Sequence, residues 1–358
     1  MTEKTLADRI GDVPEPVPPR HPDVARWRPA TAADIDTILA LELAADRVDH
    51  PTYVTPRDEI EDIFESPFYD PPRDTLLGLD AQGRAVAIGV VFVHPSRDVH
   101  VNAYLMGRVH PDVRGRGIGR ELMRWEHERM LQSLAGIDST RDATIFVYAE
   151  ETDTGARRLA ERRGFVEERW FTTMVRDLAL EIPDIVVDVG EPGDAGESGG
   201  AGEPASVDIA LVPYDSSRKE ATRAARNDAF RDHWGSLETP AERWAHFVDG
   251  PHLRADLSWL AVEGDRVVAL ALGSVNEDDW VAQGYSSVYI DLIGVTRDRR
   301  RRRLAPAVIT ALLRSARAAG LDKAVLDVDT ESPTGANSLY GRLGFEPTER
   351  SVALVSHL

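Results

Sequence analysis

The sequence predicts an α/β protein, with helices packed on a mixed sheet, folded as two tandem copies of one domain. Three observations carry this. The 358 residues exceed what one hydrophobic core usually organises. The stretch 189–206, VGEPGDAGESGGAGEPAS, holds glycine, proline and acid but almost nothing to bury, so it reads as a flexible linker. On either side of it the same order of signals recurs, as expected of a duplicated unit. The expected organisation is a disordered, charged and proline-rich leader over 1–22, a domain over 23–188, the linker over 189–206 and a second domain over 207–358. If each half owns a core, a cut near Gly199 leaves two soluble pieces.

The elements pair up in order. Each half opens with a hairpin signal: Leu76 to Leu79, a turn at Gln82-Gly83 and Ala85 to Val93; then Trp259 to Val262, a turn at Gly264-Asp265 and Val267 to Leu272. An apolar strand follows, Val101 to Val109 or Val288 to Val295, and runs into an Arg- or Gly-rich loop and a helix. Ile118, Leu122 and Trp125 give that helix its buried face in the first half, as Leu304, Val308, Leu312 and Ala316 do in the second. A short strand comes next (Thr144 to Tyr148; Ala324 to Val328), then a helix and a final Gly-Phe. Ser332 and Pro333 suit the N-cap and first turn of that helix in the second half. Phe165 and Phe345 stand 180 residues apart, as do Glu151 and Glu331 at the start of matching segments.

Chemistry concentrates where strand meets helix. Val109-His-Pro-Asp-Val-Arg-Gly-Arg-Gly-Ile-Gly119 places glycines where a backbone must approach an anion. The helix N-terminus offers unpaired N–H groups and positive potential, and Arg114 and Arg116 add charge. The expected ligand is a pyrophosphate, held by Val109, Arg114, Gly115, Arg116, Gly117, Ile118 and Gly119. The second copy reads Val295 and then Arg300, Arg301, Arg302, Arg303, Leu304 and Ala305. There Arg303 stands where the first copy has Gly117: its side chain either points outward and leaves the amides usable or blocks the cradle.

Here the chain resembles the GNAT acetyltransferase superfamily, whose signature is Gln/Arg-x-x-Gly-x-Gly/Ala after the fourth strand. Arg114, Gly117 and Gly119 match it, and Leu339-Tyr340-Gly-Arg-Leu-Gly-Phe345 is similar to a second mark of that superfamily. The resemblance covers nearly all of both halves, and the tandem layout is similar to that of mycothiol synthase and other two-domain acetyltransferases. It implies acetyl-CoA as donor, splayed between the fourth and fifth strands, with direct transfer of the acyl group to an amine. It also implies that Tyr340 serves as general acid for the departing thiolate, a position held by Ala160 in the first copy. Tyr289 lies where some members carry a glutamate base.

Neutralising a lysine-like acceptor needs a base or a dry pocket. Alternation along Ser287 to Val295 puts Tyr289, Asp291 and Ile293 on one strand face, and this makes Asp291 and Tyr289 catalytic candidates beside Tyr340. The first copy has Ala103, Leu105 and Gly107 there. His233 and Trp234, in the mixed aromatic and polar segment 227–236, are candidates for the acceptor pocket. The expected active copy is the second. The rivals are a first copy that works without the tyrosine, through water or His110, and a non-catalytic acyl-CoA sensor or scaffold.

Composition narrows the partners. A net charge of −19 disfavours nucleic acid and favours a cationic small molecule or peptide bearing the amine. The absence of cysteine excludes disulfides, thiolate metal sites and a Cys nucleophile, and no His pair has zinc-ligand spacing, so no metal is expected. No run is apolar and long enough to cross a bilayer, and the N-terminus carries no targeting pattern, so the expected protein is cytoplasmic, without membrane contact, as a monomer or homodimer.

Overall fold

The structure is a computed structural model and describes residues 4–187, 209–331 and 335–358. The linker reading over 189–206 and the N-cap reading of Ser332 and Pro333 lie outside the described residues. In chain order the first half forms α1 (Leu6–Ile10), β1 (Arg26–Arg28), α2 (Ile35–Asp49), α3 (Arg57–Glu65), α4 (Pro71–Asp74), β2 (Thr75–Leu79), β3 (Ala85–Val93), β4 (Val101–Val109), α5 (Ile118–Ala135), β5 (Ala143–Glu150), α6 (Thr154–Arg162) and β6 (Val166–Asp177). The second half forms β7 (Ile209–Pro213), α7 (Lys219–Phe230), α8 (Ala241–Val248), β8 (Trp259–Glu263), β9 (Arg266–Ser274), α9 (Asp279–Gln283), β10 (Ser287–Val295), α10 (Leu304–Ala318), β11 (Lys323–Asp329), α11 (Ala336–Arg342) and β12 (Glu346–His357).

These elements make two compact units whose borders differ from those expected. Unit 1 is Met1–Phe171 together with Asp278–Gly284 and Glu349–Leu358, and unit 2 is Thr172–Glu277 with Tyr285–Thr348. The strand order in unit 1 is β1-β2-β3-β4-β5-β12, and in unit 2 it is β6-β11-β10-β9-β8-β7. So the domain limits 23–188 and 207–358 are corrected: each unit takes segments from both halves of the chain. The reason lies in register. From Ser351↔Glu150 to His357↔Thr144, the end of β12 pairs antiparallel with β5, and Val352 and Leu354 are fully buried in the core of unit 1. Such long-range pairing leaves no mark in local sequence.

The leader expectation is also corrected for the described residues. Thr5 and Asp8 form a reciprocal capping box that starts α1. Leu6 is fully buried with Met130 and Leu134 of α5, and Arg9 donates to Asp142 at 2.7 Å and to the Leu358 carbonyl at 3.1 Å. Two apolar residues at i and i+4 suffice to dock one turn of helix, a signal that the surrounding prolines obscure.

In both units the central hairpin strand is a continuous buried run, β3 in unit 1 and β9 in unit 2, as a strand covered on both faces requires. The parallel pairs β4–β5 and β10–β11, beside antiparallel pairs such as β3–β4 and β9–β10, make each sheet mixed.

Candidate active site

The two strand–loop–helix junctions share one backbone path. In unit 1 a single 3-10 turn, Pro111–Val113, follows β4; Arg114 is extended, Gly115 and Gly117 adopt φ of +75° and +100°, and α5 begins at Ile118. In unit 2 the turn Arg297–Arg299 follows β10; Arg300 is extended, Arg301 and Arg303 adopt φ of +66° and +60°, and α10 begins at Leu304. Arginine thus holds the left-handed geometry that glycine holds in the first copy, so the backbone path of the cradle survives at Arg303. Ile118 and Leu304 are each 1% exposed and pin the helix starts. Among the described residues nothing accepts from the backbone N–H groups of 115–119 or of 301–305. Both loops therefore present a row of free donors at a helix N-terminus, which suits a phosphate.

The expected charges are distributed differently. Arg114 makes a two-pronged pair with Asp49 at the end of α2, at 2.6 Å on both prongs, and its Nε donates to the Val109 carbonyl at 2.9 Å. Arg300 likewise turns to Asp232 (3.2 Å) and to the Ala229 carbonyl (2.9 Å). These two arginines brace the loops against the preceding helix rather than offer a free cation. The positive groups left at the loops are Arg116, 3.5 Å from Asp23, and Arg301, Arg302 and Arg303, which have no partner among the described residues. Gly119 has a packing reason of its own: a Cβ there would sit 3.1 Å from the Leu159 side chain. Ala305 is half-buried at the matching place.

Beside each loop the parallel strands part. β4 and β5 pair from Val101↔Ala143 to Tyr104↔Phe146 and then separate, although β4 runs on to Val109 and β5 to Glu150. β10 and β11 pair from Ser287↔Lys323 to Tyr289↔Val325 and separate likewise before Val295 and Asp329. Each unit therefore has a wedge that opens toward its loop.

What lines the wedge distinguishes the units. β4 pairs with β3 without interruption from Val109↔Ala87 to Ala103↔Val93. In β10 the register with β9 slips between Ile290↔Gly273 and Leu292↔Leu272, so Asp291 is the extra residue of a β-bulge. The bulge corrects the expected common face. Tyr289 pairs with Ser274 and Ile293 with Ala271, and these lie on opposite faces of β9, so Tyr289 and Ile293 do not share a side. Asp291 is left out of the ladder.

Burial pushes the Asp291 carboxyl up to about 7, while hydrogen bonding from Ser274 and the nearby His252 act the other way. Its Oδ2 is buried with no partner among the described residues. The Tyr289 hydroxyl donates to Asp327 Oδ2 at 2.9 Å, and Asp327 Oδ1 accepts from Thr173 at 2.6 Å. Desolvation and this acid raise the phenol well above its usual range. Tyr289 is therefore a committed donor and not a base.

Tyr340 lies on α11, 8% exposed, with its ring edge-on to Phe345 at 6.0 Å. Burial pushes its hydroxyl up to about 12, and among the described residues it has no hydrogen-bond partner. Its counterpart Ala160 is fully buried in α6. His233 follows α7 and packs its ring 4.6 Å from that of Phe230. Burial lowers its pKa first, and Arg300 adds to this while Asp329, at the end of β11, opposes it. These charges place His233 near the loop and the wedge of unit 2. Trp234 is half-buried in the same turn. Sequence reasoning missed Ser274, His252 and Asp327, because none stands in a motif; pairing with β9 brings Ser274 to β10, and pairing with β11 brings Asp327 to Tyr289.

Two family models match the chain: "Acetyltransferase (GNAT) family" over residues 219–345 and "Acetyltransferase (GNAT) domain" over 73–167. No curated protein matches it. Among solved structures it resembles a GCN5-related N-acetyltransferase from Sphaerobacter thermophilus at 24% identity, covering 93% of this chain and 95% of that one with a TM-score of 0.64. A tandem GNAT protein from the clavulanic acid biosynthesis pathway matches at 17% identity, covering 93% and 98%, with a TM-score of 0.60. A putative acetyltransferase from Pyrococcus horikoshii matches at 15% identity, covering 94% and 90%, with a TM-score of 0.54. Among the described residues no helix is long and apolar enough to cross a membrane. With both cradles, both wedges and both family matches in the same order along the chain, the protein belongs to the GNAT acetyltransferase family and is a tandem of two GNAT domains.

Proposed function

We propose that the protein transfers an acetyl group from acetyl-CoA to the amine of a small molecule or peptide, and that unit 2 performs the transfer. The observation that carries this reading is the bulge in β10, which sets the buried Asp291 carboxyl beside a wedge that also has Tyr340 in its unit. Unit 1 has an uninterrupted β4 and Ala160 instead. The free amides of 301–305 and the side chains of Arg301, Arg302 and Arg303 suit the phosphates of the donor, as the amides of 115–119 and Arg116 do in unit 1.

Asp291, poised near neutrality, accepts the proton that the attacking amine loses as its nitrogen bonds to the acyl carbon. The carbon–sulfur bond breaks in the same exchange, and the electron pair leaves on sulfur. Tyr340 stays protonated at neutral pH and donates a hydrogen bond to that sulfur. With its hydroxyl at about 12 and a thiol at roughly 8.5, full proton transfer runs uphill, so the thiolate takes its proton from solvent. Tyr289, through Asp327 and Thr173, holds the parted strands in place. His233 and Trp234 line the acceptor side. The acidic net charge favours a cationic acceptor.

The test is thiol release from acetyl-CoA across a panel of amines. Tyr340→Phe, which keeps the ring and removes the hydrogen bond to the departing sulfur, is expected to lower turnover by about ten- to a hundredfold at near-normal donor affinity. Ala160→Tyr in unit 1 is expected to change little. If Tyr340→Phe is silent and Gly117→Glu abolishes turnover, unit 1 is the catalyst; if no amine releases thiol while the donor binds, the protein is a sensor.

A further inference from the structure

Arg176, on β6 and in unit 2, is 1% exposed, yet among the described residues no carboxylate pairs with it. Every bond its guanidinium makes goes to a backbone carbonyl. Nε donates to Leu343 at 2.6 Å, Nη1 to Asp177 at 2.8 Å, and Nη2 to Glu181 at 2.8 Å and Leu180 at 3.5 Å. A cation taken out of water without a counter-acid is destabilising, and neutral carbonyls offset this only in part. Hydrocarbon of the same volume would be as stable or more so, and the guanidinium is explained by what it holds.

What it holds is the end of α11. Leu343 is the C-cap of that helix, and its carbonyl finds no acceptor role within the helix, so a side chain must serve it. The next residue lies on the same side chain: a Cβ on Gly344, at φ +86°, would sit 3.5 Å from Arg176 Nε. Tyr340 stands one turn before Leu343. Its carbonyl accepts from the N–H groups of Leu343 and Phe345, at 3.0 Å each, and the Phe345 ring packs edge-on against its own. The start of α11 is tied separately, by Asn337 to the carbonyls of Asp329 at 3.0 Å and Thr330 at 3.2 Å. Since no hydrogen bond holds the Tyr340 hydroxyl among the described residues, the aim of the ring follows from where the helix end is fixed.

The duplication makes a second, independent observation. With Phe165 set against Phe345, Ala160 stands against Tyr340 and Ser356 of β12 against Arg176. The copy without the tyrosine is also the copy without the arginine.

We propose that Arg176 is a positioning residue for Tyr340: by holding the Leu343 carbonyl it fixes the end of α11 and directs the tyrosine hydroxyl at the departing sulfur. This rests on the reading of unit 2 as the catalyst. Through β6, the first half of the chain thus supplies a part of the site in the second copy.

The test uses the full chain with its tyrosines labelled with carbon-13 at Cζ, the Tyr340 signal being the one lost in Tyr340→Phe. Arg176→Met keeps a buried stem and removes every donor, whereas Arg176→Lys keeps the charge without the fork. Arg176→Met is expected to shift or broaden the Tyr340 signal, and Arg176→Lys to do so less. In turnover with acetyl-CoA, Arg176→Met is expected to lower kcat by about tenfold, and by no more than Tyr340→Phe does, with KM within about twofold. Arg176→Lys is expected to recover part of that loss. In a Tyr340→Phe background Arg176→Met is expected to lower kcat no further, since aim is immaterial once the hydroxyl is gone. A merely structural arginine would add its loss in both backgrounds. If Arg176→Met does not fold, Arg176→Lys carries each comparison against the unaltered chain. An unmoved Tyr340 signal, equal losses with and without the hydroxyl, or a raised KM at normal kcat overturns the role of Arg176 and leaves the reading of unit 2 standing. A silent Tyr340→Phe overturns that reading, and the catalytic role of Arg176 with it, whatever the ring signal does.

Discussion

Glu126 is the most unusual single residue. It projects from α5 onto the paired glycines Gly89 and Gly107, where a Cβ on Gly107 would lie 2.8 Å from its Oε2. Burial pushes it up to about 8, from an ordinary 4.5, and Oε1 has no partner among the described residues. Between those two values the unfolded chain has released a proton that the folded chain still holds, so stability falls as pH rises through that window. Glu126→Gln is expected to flatten that slope and to gain on the order of a few kcal/mol at pH 8, since one pKa unit corresponds to about 1.4 kcal/mol; urea unfolding across pH measures it. Asp291 carries the second pH prediction. A base near 7 is active when deprotonated, so turnover is expected to fall about tenfold per unit below that point and level off above it. A rate–pH profile in which Asp291→Asn keeps the same acidic limb would remove Asp291 from the mechanism. Neither residue announces its state in sequence. Glu126 reads as an ordinary helix-surface acid, because burial arises from what α5 packs against and not from its neighbours along the chain.

Among the elements, the two strand–loop–helix junctions were legible and the bulge was not. A strand running into a turn-rich loop and an amphipathic helix is a local pattern, so Val109 to Gly119 and Val295 to Ala305 could be placed from residue types alone. The bulge at Asp291 depends on how β10 meets β9, and strict alternation put Tyr289 and Ile293 on one face because it assumes an unbroken pleat. α9 was missed for the opposite reason, as five residues are too few to show a period. The second cradle yields its own prediction. A non-glycine residue in the left-handed region costs about 1–2 kcal/mol, and glycine loses roughly 0.5–1 of this again through chain entropy. Arg303→Gly is therefore expected to stabilise unit 2 by up to about 1 kcal/mol in thermal unfolding. It is also expected to weaken acyl-CoA binding, since a free guanidinium is lost. A gain in affinity would mean that Arg303 obstructs the loop. The converse change, Gly117→Glu, forces a side chain at φ +100° and sets an anion beside the free amides, so CoA binding to unit 1 is expected to fail.

At the scale of the whole molecule, the duplication was legible from matching segments 180 residues apart, but ownership of the strands was not. A linear repeat suggests two self-sufficient halves, whereas Glu349–Leu358 belongs to unit 1 and Thr172 onward to unit 2. Proteolysis within residues 188–208 is accordingly expected to leave two fragments that co-elute in size exclusion, because seven register pairs still hold the end of β12 on β5. Expressed alone, residues 1–188 lack that strand and expose the edge of β5, so poor solubility is expected in place of the independent folding that the repeat implied. Clean separation of two monodisperse halves after cleavage would contradict this.

The placement of that last strand sets the timetable of biosynthesis. On the ribosome, most of unit 1 emerges before unit 2, yet the residues that cover β5, Glu349–Leu358, are made only after the second repeat. At about 5–20 residues per second, the nascent chain carries an uncovered edge for on the order of ten seconds or more while the entire second repeat is made. During that interval Val147 and Ala149 wait for Val352 and Leu354. A stop codon ahead of Glu349 would deprive the part of the molecule made first of its closing strand.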